Sequence, residues 1–479
     1  MELITGNITI KHILQHNNNW QNFYDKYSHL IRDAIPWNID KIFNCRTQNL
    51  GFHKYQCLDC GKTVTVPHTC KSRFCSSCGA LATDNWISSN LNEFLDVPYK
   101  HLVFTIPSEI RTLILHNRKL LLNCLFKSAS KTVLSWSNQN KSYIPGIIMV
   151  LHTFGRDLKF NPHIHMIITC GGLNLDNSKW ISISFIPHLV LKTLWRYQII
   201  SSLRSLFKEH SLVLPESQQF SNLASFNKFL NRLYSKTWYV NIGKSLSDPA
   251  FTVKYIGRYT KRPVIAETRI TAYDDHYVHF NFKDHANNRN VNVKLSVQNF
   301  IARIICHIPD KHFRQIRYSG IFACSVKTRS LSIARNLLGQ LKQIKPATLS
   351  WRNRKIKSSG FDPLFCLQCG ISMTLASIGY FKNGKLKTIY LFLLKPIFLT
   401  MRKTIKFICT SCGFKEKIPK SVVDDMDMCD LAGDLRFPPR FSCDSCHVGT
   451  MYPLFYKNHI GITYKYNPKT RTLTPTLPS

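Results

Sequence analysis

Apolar positions recur at helical spacing over residues 20–34 and again over 82–95, and a cysteine-rich segment without regular period, 44–79, lies between them. This first block, 1–97, gives way to a second, 98–345. The second opens with Lys100-His-Leu-Val-Phe-Thr-Ile106, whose branched and aromatic content predicts a strand, and continues in a long helical pattern over 109–136. Two extended runs, 146–154 and 163–170, joined through Asn161-Pro162, predict an antiparallel hairpin. After a helix-rich middle, runs 269–273 and 277–283 alternate around Asp274-Asp275 as a second hairpin. The third block, 346–479, starts near the basic stretch 352–357 and closes in a Thr/Pro-rich tail expected to be poorly ordered. No repeat at solenoid period is found.

Composition narrows the class. The chain has 479 residues, 44% of them apolar and 12% aromatic, enough for several packed domains, which excludes disordered and fibrous classes. Sixty-four Lys and Arg against 27 Asp and Glu leave a formal charge of +37, a balance that points to a polyanionic partner. Residues 1–20 carry Glu2, Lys11 and Asn17 to Asn19 without a long apolar segment, so no secretion signal is expected. The longest apolar run, 389–400, is broken by Lys395 and is too short to span a bilayer. A cytoplasmic protein with no membrane partner is expected.

The 17 cysteines include five CxxC pairs: Cys57/Cys60, Cys75/Cys78, Cys366/Cys369, Cys409/Cys412 and Cys443/Cys446. A CxxC turn aims two thiolates at one ion, so a reducing compartment and structural zinc are expected. Cys57, Cys60, Cys75 and Cys78, with 14 residues between the pairs, are expected to share one zinc ion, set among Lys54, Lys62, Lys71 and Arg73. Cys45, His53 and Cys70, with His68 nearby, can build a second site or be a buried thiol and surface imidazoles. In the third block Cys409/Cys412 can pair with Cys443/Cys446 or with Cys366/Cys369, and spacing does not choose.

Two further patterns carry chemistry. In Asn161-Pro-His-Ile-His165, residues i and i+2 of a strand project to the same side, so His163 and His165 form half of a divalent-metal site. His152 is the expected third ligand if its run pairs with this strand, with Asp157 as the alternative. Asp248-Pro249 signals a helix start, and Tyr255 and Tyr259 at i, i+4 on that helix would present two phenols on one face, next to Lys254, Arg258, Lys261 and Arg262.

In this order, a cysteine module, His-x-His on a strand and a paired-tyrosine helix resemble the two-tyrosine HUH transposases of the insertion sequence 91 family. Cys45-Arg-Thr, Ser72-Arg-Phe-Cys75, Val97-Pro-Tyr-Lys-His-Leu-Val-Phe-Thr-Ile-Pro107, Val150-Leu-His-Thr-Phe-Gly155, Gly171-Gly172, Tyr255-Ile-Gly-Arg-Tyr-Thr-Lys-Arg262 and Ile316-Arg-Tyr-Ser-Gly320 carry the likeness over residues 44–322. Two positions depart from the family: Arg73-Phe-Cys-Ser76 replaces Arg-His-Cys-Pro, and Lys261 replaces a histidine. The resemblance implies an α+β HUH domain with a central, mainly antiparallel sheet, flanked by an N-terminal zinc-binding module and a C-terminal Cys-rich, zinc-ribbon-like one. It also implies a metal-dependent single-strand DNA endonuclease and strand transferase, using magnesium or manganese and 5′-phosphotyrosine intermediates in rolling-circle transposition. Its DNA partners would be single-stranded or hairpin element ends and target DNA. The rival readings are a replication initiator with the same nicking chemistry and a zinc-dependent DNA-binding protein whose nuclease centre is inactive.

Overall fold

The computed structural model describes the chain except residues 1–3, 6–7, 73, 77, 80–82, 84–85, 88–89, 91–92, 247, 261–263, 285–286, 342–349, 383–384, 391–403, 430–436, 444, 459–460 and 477–479. It also leaves undescribed the side chains of 4–5, 140–141, 249–250, 256, 258–260, 358, 382, 419, 421, 425 and 427–429. All of the apolar run 389–400 beyond Tyr390, and much of the helical stretch 82–95, therefore lie outside the described residues. Two compact units emerge, one comprising 1–374 and 379–387, the other 375–378 and 388–479.

The first unit is built on an antiparallel sheet. Its strands are β1 (Tyr99–Phe104), β2 (Tyr143–Phe154), β3 (Phe160–Asn174), β4 (Val240–Leu246) and β5 (Ile316–Gly320), in the order β5-β2-β3-β1-β4. Period two sorts the side chains cleanly. Leu102, Phe104, Ile147, Met149, Leu151, Ile164, Met166 and Ile168 enter one core, with helices α1 (Arg118–Lys141), α2 (His188–Lys208) and α3 (Leu223–Arg232) supplying Phe126, Trp195 and Phe226. Alternate residues, including Tyr99, Ile148, Val150 and Ile167, face a second cluster with Val253 from helix α4 (Pro249–Thr260). Full burial of each such apolar side chain contributes about 1.5–3 kcal/mol, so a one-residue slip of any strand is strongly disfavoured.

The β2–β3 hairpin differs from the expected one in detail. Asn161 and Pro162 lie inside β3, and the register shifts between His152 and Phe154, the partners of His163 and Phe160. Proline has no N–H to give to the ladder, so a bulge forms where it stands. The helical pattern 109–136 is likewise interrupted: Arg111–His116 and α1 meet at Asn117. That buried amide donates to the Leu113 and Val213 carbonyls and accepts from Val213 N, competing with helix continuation.

Near the N-terminus the stretch 20–34 is split between helices Asn19–Tyr27 and Ala34–Phe43. These pack with helix Val297–Ile305 and with strands Ile270–Tyr273 and Tyr277–Asp284, the expected second hairpin, which turns through left-handed Asp275 (φ 67°). In the second unit, strands Lys415–Pro419, Thr404–Cys409, Thr450–Pro453 and Phe441–Ser442 form one sheet. The tail, expected to be poorly ordered, instead pairs Thr472–Thr476 with Thr463–Asn467, and Tyr464 and Tyr466 of the latter strand are buried.

Candidate metal centres and a tyrosine helix

Strand alternation places His163 and His165 on one face of β3, and antiparallel register sets His152 opposite His163. The ligand atoms of His152, His163 and His165 all lie within 4.8 Å of one another. His163 Nδ1 bonds the Asn161 carbonyl at 2.7 Å, which assigns the ring proton to Nδ1 and leaves the Nε2 lone pair pointing inward. That Nε2 stands 3.1 Å from His165 Nε2, so the two rings converge on one point. Burial holds His165 well below the ordinary histidine range, helped by the neighbouring His152, His163 and His101, and burial lowers His163 too. His163 and His165 are therefore held neutral and open to a cation, and three imidazoles suit manganese better than magnesium, which prefers all-oxygen shells. Asp157, the alternative ligand, pairs with Lys159 at 3.6 Å in the β2–β3 turn.

A fourth imidazole, His101, extends the group. Its Nε2 lies 2.9 Å from His165 Nδ1 with the rings stacked, and its Nδ1 lies 3.2 Å from the Tyr255 hydroxyl. Burial, then the charge of His163, pushes His101 down to about 4. Sequence reading placed residue 101 only in a strand. The register that pairs Val103 with His165 is what brings it to the trio.

Tyr255 is half-buried on α4, and Lys254 beside it is exposed. Thr252 N and Oγ1 both bond the Asp248 carbonyl, starting the helix as Asp248-Pro249 foretold. Gly257 sets its depth: a β-carbon there would stand 2.4 Å from Ile87 Cγ1, so only glycine lets α4 close on its neighbour. Tyr259 follows one turn after Tyr255. Its side chain and that of Arg258 are outside the described set, as is all of Lys261.

Among the described residues, twelve of the cysteines form three groups of four: Cys45, Cys70, Cys75 and Cys78; Cys57, Cys60, Cys366 and Cys369; and Cys409, Cys412, Cys443 and Cys446. Nearest sulfurs are 3.6–3.7 Å apart. A tetrahedron with metal–sulfur bonds of about 2.3 Å has edges of roughly 3.8 Å, so each group fits a zinc ion. Backbone N–H groups of Cys70, Ser72, Ser411, Cys412 and Gly449 point at the sulfurs and favour thiolates. Those of Val448 and Gly449 draw Cys446 down to about 6.

This corrects the expected pairing, because Cys57 and Cys60 do not meet Cys75 and Cys78. The hairpin Phe52–Gln56/Thr63–Pro67 carries the first pair at its tip, while Cys45 and Cys70 lie at its open end, where Cys75 and Cys78 join them. Five strand residues at about 3.3 Å each keep the two ends apart. The expected second site changes too: Cys45 and Cys70 complete the buried group, whereas His53 pairs with His68 at 3.0 Å. The sequence itself does not separate the pairs, since Cys57-x-x-Cys, Cys75-x-x-Cys, Cys366-x-x-Cys and Cys409-x-x-Cys are all followed by glycine; in the structure Gly61, Gly370 and Gly413 turn left-handed, which marks alike knuckles. Cys75 and Cys78 instead flank a helical turn.

Comparison with known proteins follows this geometry. Residues 146–330 match the family described as “Putative transposase”, and residues 15–106 match the “Transposase zinc-binding domain” family. The “Transposase for insertion sequence element IS801” of Pseudomonas savastanoi pv. phaseolicola is 29% identical over 367 residues, covering 76% of this chain and 88% of that protein. The “Putative transposase y4qJ” of Sinorhizobium fredii is 30% identical over 302 residues, 62% of this chain and 76% of that protein. No solved structure matches. Among the described residues no helix is long and apolar enough to cross a membrane.

Proposed function

The chain belongs to the insertion sequence 91 family of transposases, and from that premise we propose that it is an HUH enzyme that nicks and rejoins single-stranded DNA at element ends through 5′-phosphotyrosine intermediates. The observation that carries this reading is the hydrogen-bonded path from Tyr255 through His101 to His165, which ties the tyrosine helix to the imidazole trio.

A divalent cation held by His152, His163 and His165, manganese in preference to magnesium, would neutralise charge on a non-bridging oxygen of the scissile phosphate. With His165 presenting Nε2 to that position, its Nδ1–H donates to His101 Nε2. His101 then keeps its proton on Nδ1 and donates to the Tyr255 oxygen. That donor stabilises the negative charge that grows on a phenol whose ordinary pKa is about 10. Lys254 and Arg258 add positive charge along the helix, and Lys261 follows them in sequence. The Tyr255 oxygen gives up its proton to solvent as it attacks phosphorus, the bond to the 3′ oxygen breaks, and that oxygen takes a proton back from solvent and leaves as a 3′-hydroxyl, so bonds and protons balance. The tyrosyl ester retains the energy of the broken bond, so resealing needs no nucleotide cofactor. Tyr259, one turn later, serves as acceptor for the second strand end.

DNA is the partner of a transposase, and the +37 charge suits phosphate neutralisation with steep salt dependence. The zinc modules are assigned to binding of element ends, with Cys57, Cys60, Cys366 and Cys369 as one site and the other two groups of four as the rest.

The test is a denaturing gel for covalent adducts, using manganese and labelled single strands from both flanks of the gene. Wild type is compared with Tyr255→Phe, Tyr259→Phe and the double variant. An adduct that disappears only in the double variant is expected. Tight binding without any adduct would overturn the reading in favour of a DNA-binding protein.

A further inference from the structure

At the open end of β1, beyond Phe104, lies a cavity of about 490 Å³ lined by Thr105, Glu109, Arg111, Asn161, Lys236 and Tyr239, among others. Its place is set by the fold. Thr105 N bonds the Tyr239 carbonyl at 3.0 Å, and Asn161 stands two residues before His163, whose ring bonds the Asn161 carbonyl. The cavity therefore adjoins the imidazole trio.

Two of the residues lining it carry polar atoms that the protein does not satisfy. Arg111 Nε and Asn161 Oδ1 have no hydrogen-bond partner, one a donor on a cation and the other an acceptor. Such groups are costly to leave unmet, so their presence on two residues of one cavity wall favours a polar ligand there. At the rim the Tyr239 ring is 64% exposed, a flat apolar surface open for stacking. Lys236 bonds Glu109 at 2.9 Å, which fixes a second cation at the mouth. The volume lies within the roughly 300–1,000 Å³ of small-molecule sites.

We infer that this cavity holds one nucleotide of the single strand, next to the scissile phosphate. Its phosphate meets Arg111, its base edge lies against Asn161, and its base face lies on Tyr239. The assignment rests on the imidazole trio being the site of cleavage, as proposed above. The function of the cavity is to fix which phosphate enters that site, by gripping the neighbouring nucleotide.

Binding is measured by fluorescence anisotropy in metal-free buffer, so that no cleavage occurs. The strands come from the element ends and carry an abasic site stepped one position at a time. Wild type is compared with Arg111→Gln and Tyr239→Ala, whose unchanged melting temperatures report intact folding. For wild type, one abasic position is expected to weaken binding at least about fivefold. Tyr239→Ala should weaken intact strands by a similar factor and lose its effect on the strand abasic at that position. Arg111→Gln should weaken all strands and flatten the salt dependence by about one phosphate contact. Variants that bind like wild type, or a Tyr239→Ala effect equal at every abasic position, overturn the inference. The two readings separate cleanly: adducts with no position-specific loss sink the cavity assignment alone. Position-specific loss without adducts leaves a nucleotide pocket and sinks the nicking mechanism.

Discussion

Four sulfurs meet in each thiolate group and three nitrogens in the imidazole trio, and that difference of one ligand divides the molecule's metal chemistry. Cys45, Cys70, Cys75 and Cys78 are all buried and supply every corner of a tetrahedron, leaving no vacancy for a substrate oxygen. The trio leaves coordination positions open and is hydrogen-bonded outward, through His101, to a phenol. His307 sharpens the contrast. It too is a buried imidazole, pushed down to about 4 by burial, but its Nδ1 is met by Thr153 Oγ1 at 3.0 Å and its Nε2 by the Leu158 carbonyl at 2.9 Å. Both of its nitrogens are used up by protein, so it holds the β2–β3 turn and can hold nothing else. A closed shell builds structure; an open set of imidazoles beside a phenol and a cavity is the arrangement the proposed cleavage calls for.

The comparison breaks first at the closed sites. Cys75→Ser is expected to lower zinc content by one ion per chain, read by native mass spectrometry, and to lose several kcal/mol of stability, because the ion is much of the core of its module. An unchanged melting curve would show the buried thiols to be ordinary core residues. At the open site the effect should fall on chemistry alone. His163→Ala should reduce adduct formation about a thousandfold while zinc content, melting temperature and strand affinity stay at wild-type values. Equal loss of binding would make the histidine structural. The smallest effect belongs to His101, which acts through its neighbours. His101→Ala should slow adduct formation by about 10–100-fold without changing strand affinity, and His101→Gln should recover part of the loss by restoring a donor to Tyr255. A glutamine variant no better than alanine would remove the hydrogen-bond path from the mechanism.

Much of the open site could be read from the sequence because it is local. His-x-His on an apolar run and Tyr-x-x-x-Tyr after Asp-Pro are short-range periodicities, and the structure places His152 with the histidine pair through the register of one hairpin. His101 was not legible, since only the pairing of β1 with β3 gives a lone strand histidine its neighbours. The thiolate partners were misassigned for a related reason. Cys57 and Cys60 are nearer in sequence to Cys75 and Cys78, but a hairpin of two five-residue strands turns that nearness into distance. The helix break at Asn117 was hidden because it depends on the backbone of Val213, 96 residues away.

The cluster at the hairpin tip joins sulfurs 306 positions apart, Cys60 and Cys366. A ribosome adding about 5–20 residues per second delivers the second pair roughly 15–60 s after the first. Throughout that interval the tip is a half-site, although the tyrosine helix and the three histidines have already been made. A chain released early would carry the tyrosine helix and the histidines but an unclosed N-terminal hairpin. The Cys366–Cys369 segment thus finishes what the hairpin began, and a product truncated before it is marked by two unclaimed thiols.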